Sequence, residues 1–323
     1  MTKINKALSL TLAAVVSMPT LAENINTDDF SFGGRIEARG VLADSDFSDA
    51  SRVRLNGQGK HEINDAITAV GKFEFEVTQD EDASTENDTR YLYVGAETAY
   101  GTVTYGTQDN AVTYLTNFTD MAEYFSGYTN GHITASDDRA EDTLLYSVTK
   151  GDLTFNASAN LKATENGGGV MVAYKLLPSV ELSAGYAATE GFDTNLNPNN
   201  IAGLDETESS DVYMIGARYT KDGFLLAGLV QTGSYGGSDF DAVDAYAAYA
   251  FGKNNVNVSY NYYSADDISE LDINFVAFEY ARYIDDVAVY ASYKIAINSD
   301  TSAGPGHNNN SADEFVIGAR YSF

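Results

Sequence analysis

Nucleophilic or metal-assisted chemistry needs a base, a thiolate or a ligand cluster held at close spacing. The chain offers three histidines, His61, His132 and His307, and no cysteine. No histidine has a serine within three residues; His61 falls beside a turn, and His132 and His307 fall in polar connecting segments. The acidic stretch SDFDAVD (238–244) lacks the glycine and terminal glutamate of a calcium loop. No cofactor or metal is expected, and the chain is not read as an enzyme. What it does carry is charge at alternate positions. In SRVRLNG (51–57), Arg52 and Arg54 share a face opposite Val53 and Leu55, and in SFGGRIEARG (31–40), Arg35, Glu37 and Arg39 share a face opposite Ile36 and Ala38. That chemistry is electrostatic: one face meets water and ions while the other meets an apolar phase.

The elements that hold such faces are β-strands, whose side chains alternate with a period of two. The final segment EFVIGARYSF (314–323) shows the period over its whole length: Phe315, Ile317, Ala319, Tyr321 and Phe323 on one face, Glu314, Val316, Gly318, Arg320 and Ser322 on the other. By the same parity Tyr91 and Tyr93 oppose Arg90; Tyr260, Tyr262, Tyr290 and Tyr321, near strand ends, suit membrane interfaces by their number and position, while each alone is equally well ordinary β filler. An arginine facing lipid at the bilayer midplane costs about 2–4 kcal/mol. The charged faces therefore point into a lumen.

The N-terminus sets the compartment. Lys3 and Lys6 precede the apolar run ALSLTLAAVVSM (7–18), and PTLA leads into Glu23, the layout of a secretory signal peptide over residues 1–22. Its removal leaves 323 − 22 = 301 residues (23–323), in which no run is long enough for a transmembrane helix. With 23 Tyr, 16 Phe and 28 Gly against 4 Pro, the chain is β-rich, and alternation lets a membrane barrel average out to the hydropathy of a soluble protein. The net charge of −28 becomes −30 without the two leader lysines, which argues against nucleic acid as a partner.

Sixteen alternating segments follow, at 30–42, 51–62, 66–79, 88–98, 101–108, 141–149, 152–162, 167–176, 179–190, 210–220, 223–234, 240–251, 254–264, 271–283, 286–298 and 312–323. Every second junction is short: INDA, TAYG, TKGD, LLPS, TKDG, FGKN and YIDD. The junctions between them are mostly long, acidic and rich in Asn and Gly. A soluble Greek-key sandwich has no reason to sort its connections this way. An up-and-down transmembrane barrel with short periplasmic turns and long external loops does. The fold expected is all-β, a 16-stranded antiparallel transmembrane barrel in the outer membrane.

The third long connection, DNAVTYLTNFTDMAEYFSGYTNGHITASDDRA (109–140), is too rich in apolar groups for a solvated loop. Leu115, Phe118, Met121, Tyr124 and Phe125 require burial, so the segment is expected to fold inward onto the wall.

Taken with AEN after the leader, RLNGQGKHEIND, TRYLYVGAETAYGTVTYG, NFTDMAEYF and the aromatic terminal strand, the chain resembles the general diffusion porins of Gram-negative outer membranes, the OmpC/OmpU type, over essentially its whole mature length. The resemblance implies a trimeric water-filled channel for ions and small hydrophilic solutes. It implies that the third loop presents carboxylates, here Asp120 and Glu123, to a basic ladder, here Arg35, Arg54, Arg90 and Arg139, with Arg52 the alternative to Arg54. It also implies that the terminal strand, through Tyr321 and Phe323, is read by the barrel-insertion machinery, with lipopolysaccharide and outer-membrane lipids as further partners. Two departures stand out. AEYFSG lacks the proline and paired glycines usual around the loop acid, and Thr107 follows Gly106 where an arginine would receive a neighbour's latching loop. The acidic balance predicts cation preference. A substrate-specific porin and a surface receptor or adhesin barrel are the alternative readings.

Overall fold

A computed structural model describes residues 29–43, 46–78, 87–129, 133–162, 166–190, 208–266, 268, 271–297 and 312–323. The leader assigned to 1–22, and His132 and His307, lie outside the described residues. The strands are β1 (Phe30–Ala43), β2 (Asp46–Asp49), β3 (Arg52–Asn64), β4 (Ile67–Thr78), β5 (Asn87–Thr98) and β6 (Gly101–Gln108). A one-turn helix α1 (Thr113–Thr116) and a 3-10 turn (Thr134–Ser136) precede β7 (Ala140–Lys150), β8 (Leu153–Asn160), β9 (Gly167–Leu177), β10 (Val180–Thr189) and β11 (Ser210–Lys221). The remainder are β12 (Phe224–Tyr235), β13 (Ser238–Phe251), β14 (Asn254–Ala265), β15 (Ile273–Ile284), β16 (Val287–Ala296) and β17 (Glu314–Ser322).

Consecutive strands from β3 onward pair antiparallel, and β1 pairs with β3 on one side and β17 on the other. Sixteen strands thus close into a ring with no open edge, which is what lipid demands of a sheet. The seventeenth, β2, is a short return in the first long connection that pairs only with Gly40–Ala43. The seven short junctions are all two-residue turns. In one of them Asp222 and Gly223 both take positive φ, 51° and 84°, the type I′ geometry that matches strand twist. One junction at the opposite end is equally tight: only Gly236 and Gly237 separate β12 from β13.

The exposed face of the ring is apolar. On β11 Tyr213 and Ile215 are 56% and 69% exposed, while Val212 and Met214 between them are buried. On β17 Phe315, Ile317 and Tyr321 are exposed, whereas Val316 is buried and Gly318 and Arg320 face in with it. A water-soluble protein would invert this arrangement. In a bilayer it places the apolar face on lipid.

The seam of β1 with β17 runs from Ala43 paired with Glu314 to Arg35 paired with Ser322, and continues at Gly34 and Phe323. The Gly34 amide donates to the Phe323 carbonyl at 2.9 Å, and the Phe323 amide donates back to the Gly34 carbonyl at 3.0 Å. The rings of Tyr321 and Phe323 lie 6.1 Å apart along the same outer face.

Two expectations, one from strand parity and one from position near a strand end, are corrected. Arg90 is an extra residue in β5, because Glu74 pairs with Tyr91 while Phe75 pairs with Thr89. This β-bulge shifts the alternation by one, so Arg90 and Tyr91 both reach the inner face instead of opposing each other. Tyr290 is not an interfacial residue: it is buried on the inner side, in the space left over Gly318, and its hydroxyl donates to Glu37 at 2.8 Å.

Candidate functional site

The inner face of β1, β3, β4 and β5 carries a row in which arginine and glutamate alternate. Register makes it: Glu37 pairs with Arg52, Arg35 with Arg54, and Arg54 with Glu76 on its other side. The Arg52 Nε meets Glu37 Oε2 at 2.6 Å, and its Nη1 lies 3.5 Å from Glu76. Arg54 bonds Glu76 through Nε and lies 3.9 Å from Glu74. The bulge delivers Arg90, whose Nε donates to Glu74 at 2.7 Å and whose Nη1 lies 3.7 Å from Glu76. Apart from the fully covered Glu37, these side chains are only 9–14% exposed, and charge-assisted bonds of this kind hold their geometry strongly. Arg35 stands in the row without such a bond; its Nε has no hydrogen-bond partner among the described residues.

The described part of the third connection, 109–129 and 133–139, bonds to inner-face side chains around the ring. Its first turn is α1, where the Tyr114 hydroxyl donates to Glu181 on β10 at 2.5 Å. Arg218 on β11 donates to the same carboxylate at 2.7 Å and stacks 4.4 Å over the Phe118 ring. Phe118 and Phe125 are almost wholly buried, each contributing about 1.5–3 kcal/mol of apolar burial. Beyond them Arg39 on β1 lies 4.7 Å over Tyr124. The Tyr128 amide donates to Asn261 on β14 at 3.0 Å, and Thr129 donates to Asp244 on β13 at 2.7 Å. On the far side the Ala111 amide donates to Ser158 on β8 at 3.0 Å.

Of the residues expected at a constriction, Arg35, Arg54 and Arg90 do share one wall. Asp120 is exposed and accepts from Ser126 at 3.1 Å, within electrostatic reach of Arg139 and Arg90. Arg139 lies 3.7 Å from Asp138 at the root of the connection. Burial, reinforced by Asp138, pushes the nearby Asp109 and Asp137 carboxyls up to about 6. Glu123 bonds at the β17 end of the arginine row: both its oxygens bond Arg320, which pairs with Glu37, the Tyr283 hydroxyl donates to it at 2.9 Å, and its amide donates to Glu279 on β15 at 3.0 Å.

Sequence reasoning missed Glu74, Glu76, Arg320 and Glu279. A signal for the first two existed. In GKFEFEV, Lys72, Glu74 and Glu76 alternate with Phe73, Phe75 and Val77, which sets both glutamates on the polar face of their strand. Arg320 falls on the polar face of the last strand, but nothing in the sequence marks it as the partner of a residue 197 positions away.

A sequence profile described as Gram-negative porin matches residues 9–323. The chain is 31% identical to outer membrane protein U of Vibrio parahaemolyticus, with 98% of each chain covered. Its fold is similar to that of Salmonella typhi OmpF solved with daunomycin, at a TM-score of 0.77 and 18% identity, covering 91% of this chain and 97% of that one. It is also similar to the trimer form of Vibrio cholerae OmpT, at a TM-score of 0.69 and 18% identity, covering 91% of this chain and 99% of that one.

Proposed function

The chain belongs to the Gram-negative porin family, and from that premise we propose that it is a general, cation-preferring diffusion channel whose third connection narrows the lumen. Porins are outer-membrane channels and not enzymes, and the closed ring with its apolar outer face fits that location. The observation that carries the finer reading is the third connection, which bonds to inner-face groups on β1, β8 and β13, strands on different sides of one closed ring. A segment so anchored crosses the space between those strands, and what passes must go around it. Asp120, Arg35, Arg54, Arg90 and Arg139 would line that gap.

The driving force in this reading is the solute's own gradient. Cation preference follows from the net charge, −28 for the whole chain and −30 without the two leader lysines, which concentrates cations at the mouths. The trimer form of the OmpT relative supports a trimer here. Residues 1–22 act as the export leader, Tyr321 and Phe323 as the part of the last strand read at insertion, and the exposed apolar belt meets lipid and lipopolysaccharide.

The refolded mature protein in a planar bilayer, under a KCl gradient, is expected to show a reversal potential of the sign set by potassium. A potential of the sign set by chloride would refute the cation preference.

A further inference from the structure

Porin selectivity is a matter of which fixed charges face the ion path uncompensated. In this lumen the arginine row is not free. Arg52, Arg54 and Arg90 are each bonded to one or two of Glu37, Glu74 and Glu76. Three positive and three negative charges alternate within contact distance, and their fields cancel beyond a few ångströms. The carboxylates are built into the wall: Glu37 is held from its other side by Tyr290, and Glu74 and Glu76 occupy alternate inner positions of one strand.

We propose that Glu37, Glu74 and Glu76 are the selectivity-determining residues of this channel. They silence an arginine row that would otherwise favour anions. This assignment rests on the reading of the lumen as the ion path. With these three arginines offset, the row keeps only the charge of Arg35, and the excess of carboxylates elsewhere on the chain sets the sign. Arg35 remains the one arginine of the row without a bonded carboxylate.

The test is a reversal-potential cycle on the refolded full-length mature protein in a KCl gradient. A unit charge about 8 Å from the ion path, screened over a similar length, changes the ratio of cation to anion permeability by about twofold. Glu76→Gln is expected to lower that ratio about twofold. Arg54→Gln should raise it by a similar factor, and Arg54→Gln/Glu76→Gln should return it close to the parent value. Conducting Glu76→Gln channels with the parent reversal potential would overturn the assignment. Should Glu76→Gln not fold, Glu74→Gln carries the same test, because its arginines keep Glu76 as a partner. A parent channel of chloride sign would sink the cation preference alone, since the direction of the shifts still scores the three glutamates.

Discussion

Arg320→Ala is expected to give a channel with a larger and visibly noisier single-channel current than the parent. Arg320 bonds both oxygens of Glu123, and the stretch around Glu123 is the part of the third connection held mainly by charge. Removing the guanidinium leaves Glu123 facing the Glu279 carboxylate, to which its own amide donates. The two side chains of the pair are 17% and 9% exposed. Breaking a largely covered pair by deleting one partner costs about 3–5 kcal/mol, because the other charge is left without compensation. At about 1.4 kcal/mol per decade, that lowers the ratio of docked to undocked stretch by about two to three and a half decades. The aromatic anchors Phe118 and Phe125 keep the remainder seated, so the barrel itself should fold as before. Unchanged conductance and noise in a folded Arg320→Ala channel would show that Glu123 is positioned by something else.

The second large effect is on closure. Gly34→Val is expected to abolish the folded barrel, read as loss of the fast-migrating, heat-sensitive band on a semi-native gel. A side-chain carbon at Gly34 would lie 2.5 Å from the Arg54 carbonyl, 2.9 Å from the Phe323 ring and 3.1 Å from Leu55. The ring and the leucine could turn aside, but the carbonyl belongs to β3 and is held by its ladder. Relief requires β1 to leave either β3 or β17. An opened seam would expose the run of paired residues from Arg35 to Ala43, and each backbone group left unpaired in lipid costs several kcal/mol. A Gly34→Val protein with the parent's yield of folded band would mean that the seam tolerates far more displacement than its geometry implies.

Both predictions depend on features of different legibility. The ring was readable, because alternate apolar residues and seven tight turns leave little freedom once lipid is the outer solvent. The faces were readable wherever parity runs unbroken, as in β17. Parity failed at Arg90, since a bulge inserts a residue without any compositional mark and reverses every assignment after it. Position near a strand end misplaced Tyr290, although parity sets it on the inner face with Ser292 and Lys294, because a tyrosine suits an interface as well as a buried hydrogen bond to Glu37 two strands away. Of the apolar groups in the third connection, Leu115, Phe118 and Phe125 are buried as their type suggests and Tyr124 is half-buried, whereas Met121 is exposed, so composition marks the segment but not which of its side chains is covered. The partner of Glu123 was not, because Arg320 becomes its neighbour only after the whole ring has closed.

The central claim is that the ring encloses an open aqueous path, and the most direct test is single-channel recording of the refolded mature protein in symmetric KCl. The expected result is stepwise, ohmic current that scales with bulk conductivity and closes in three equal levels. A demonstrably folded barrel that passes no current would contradict it and would mean that the third connection seals the lumen instead of narrowing it.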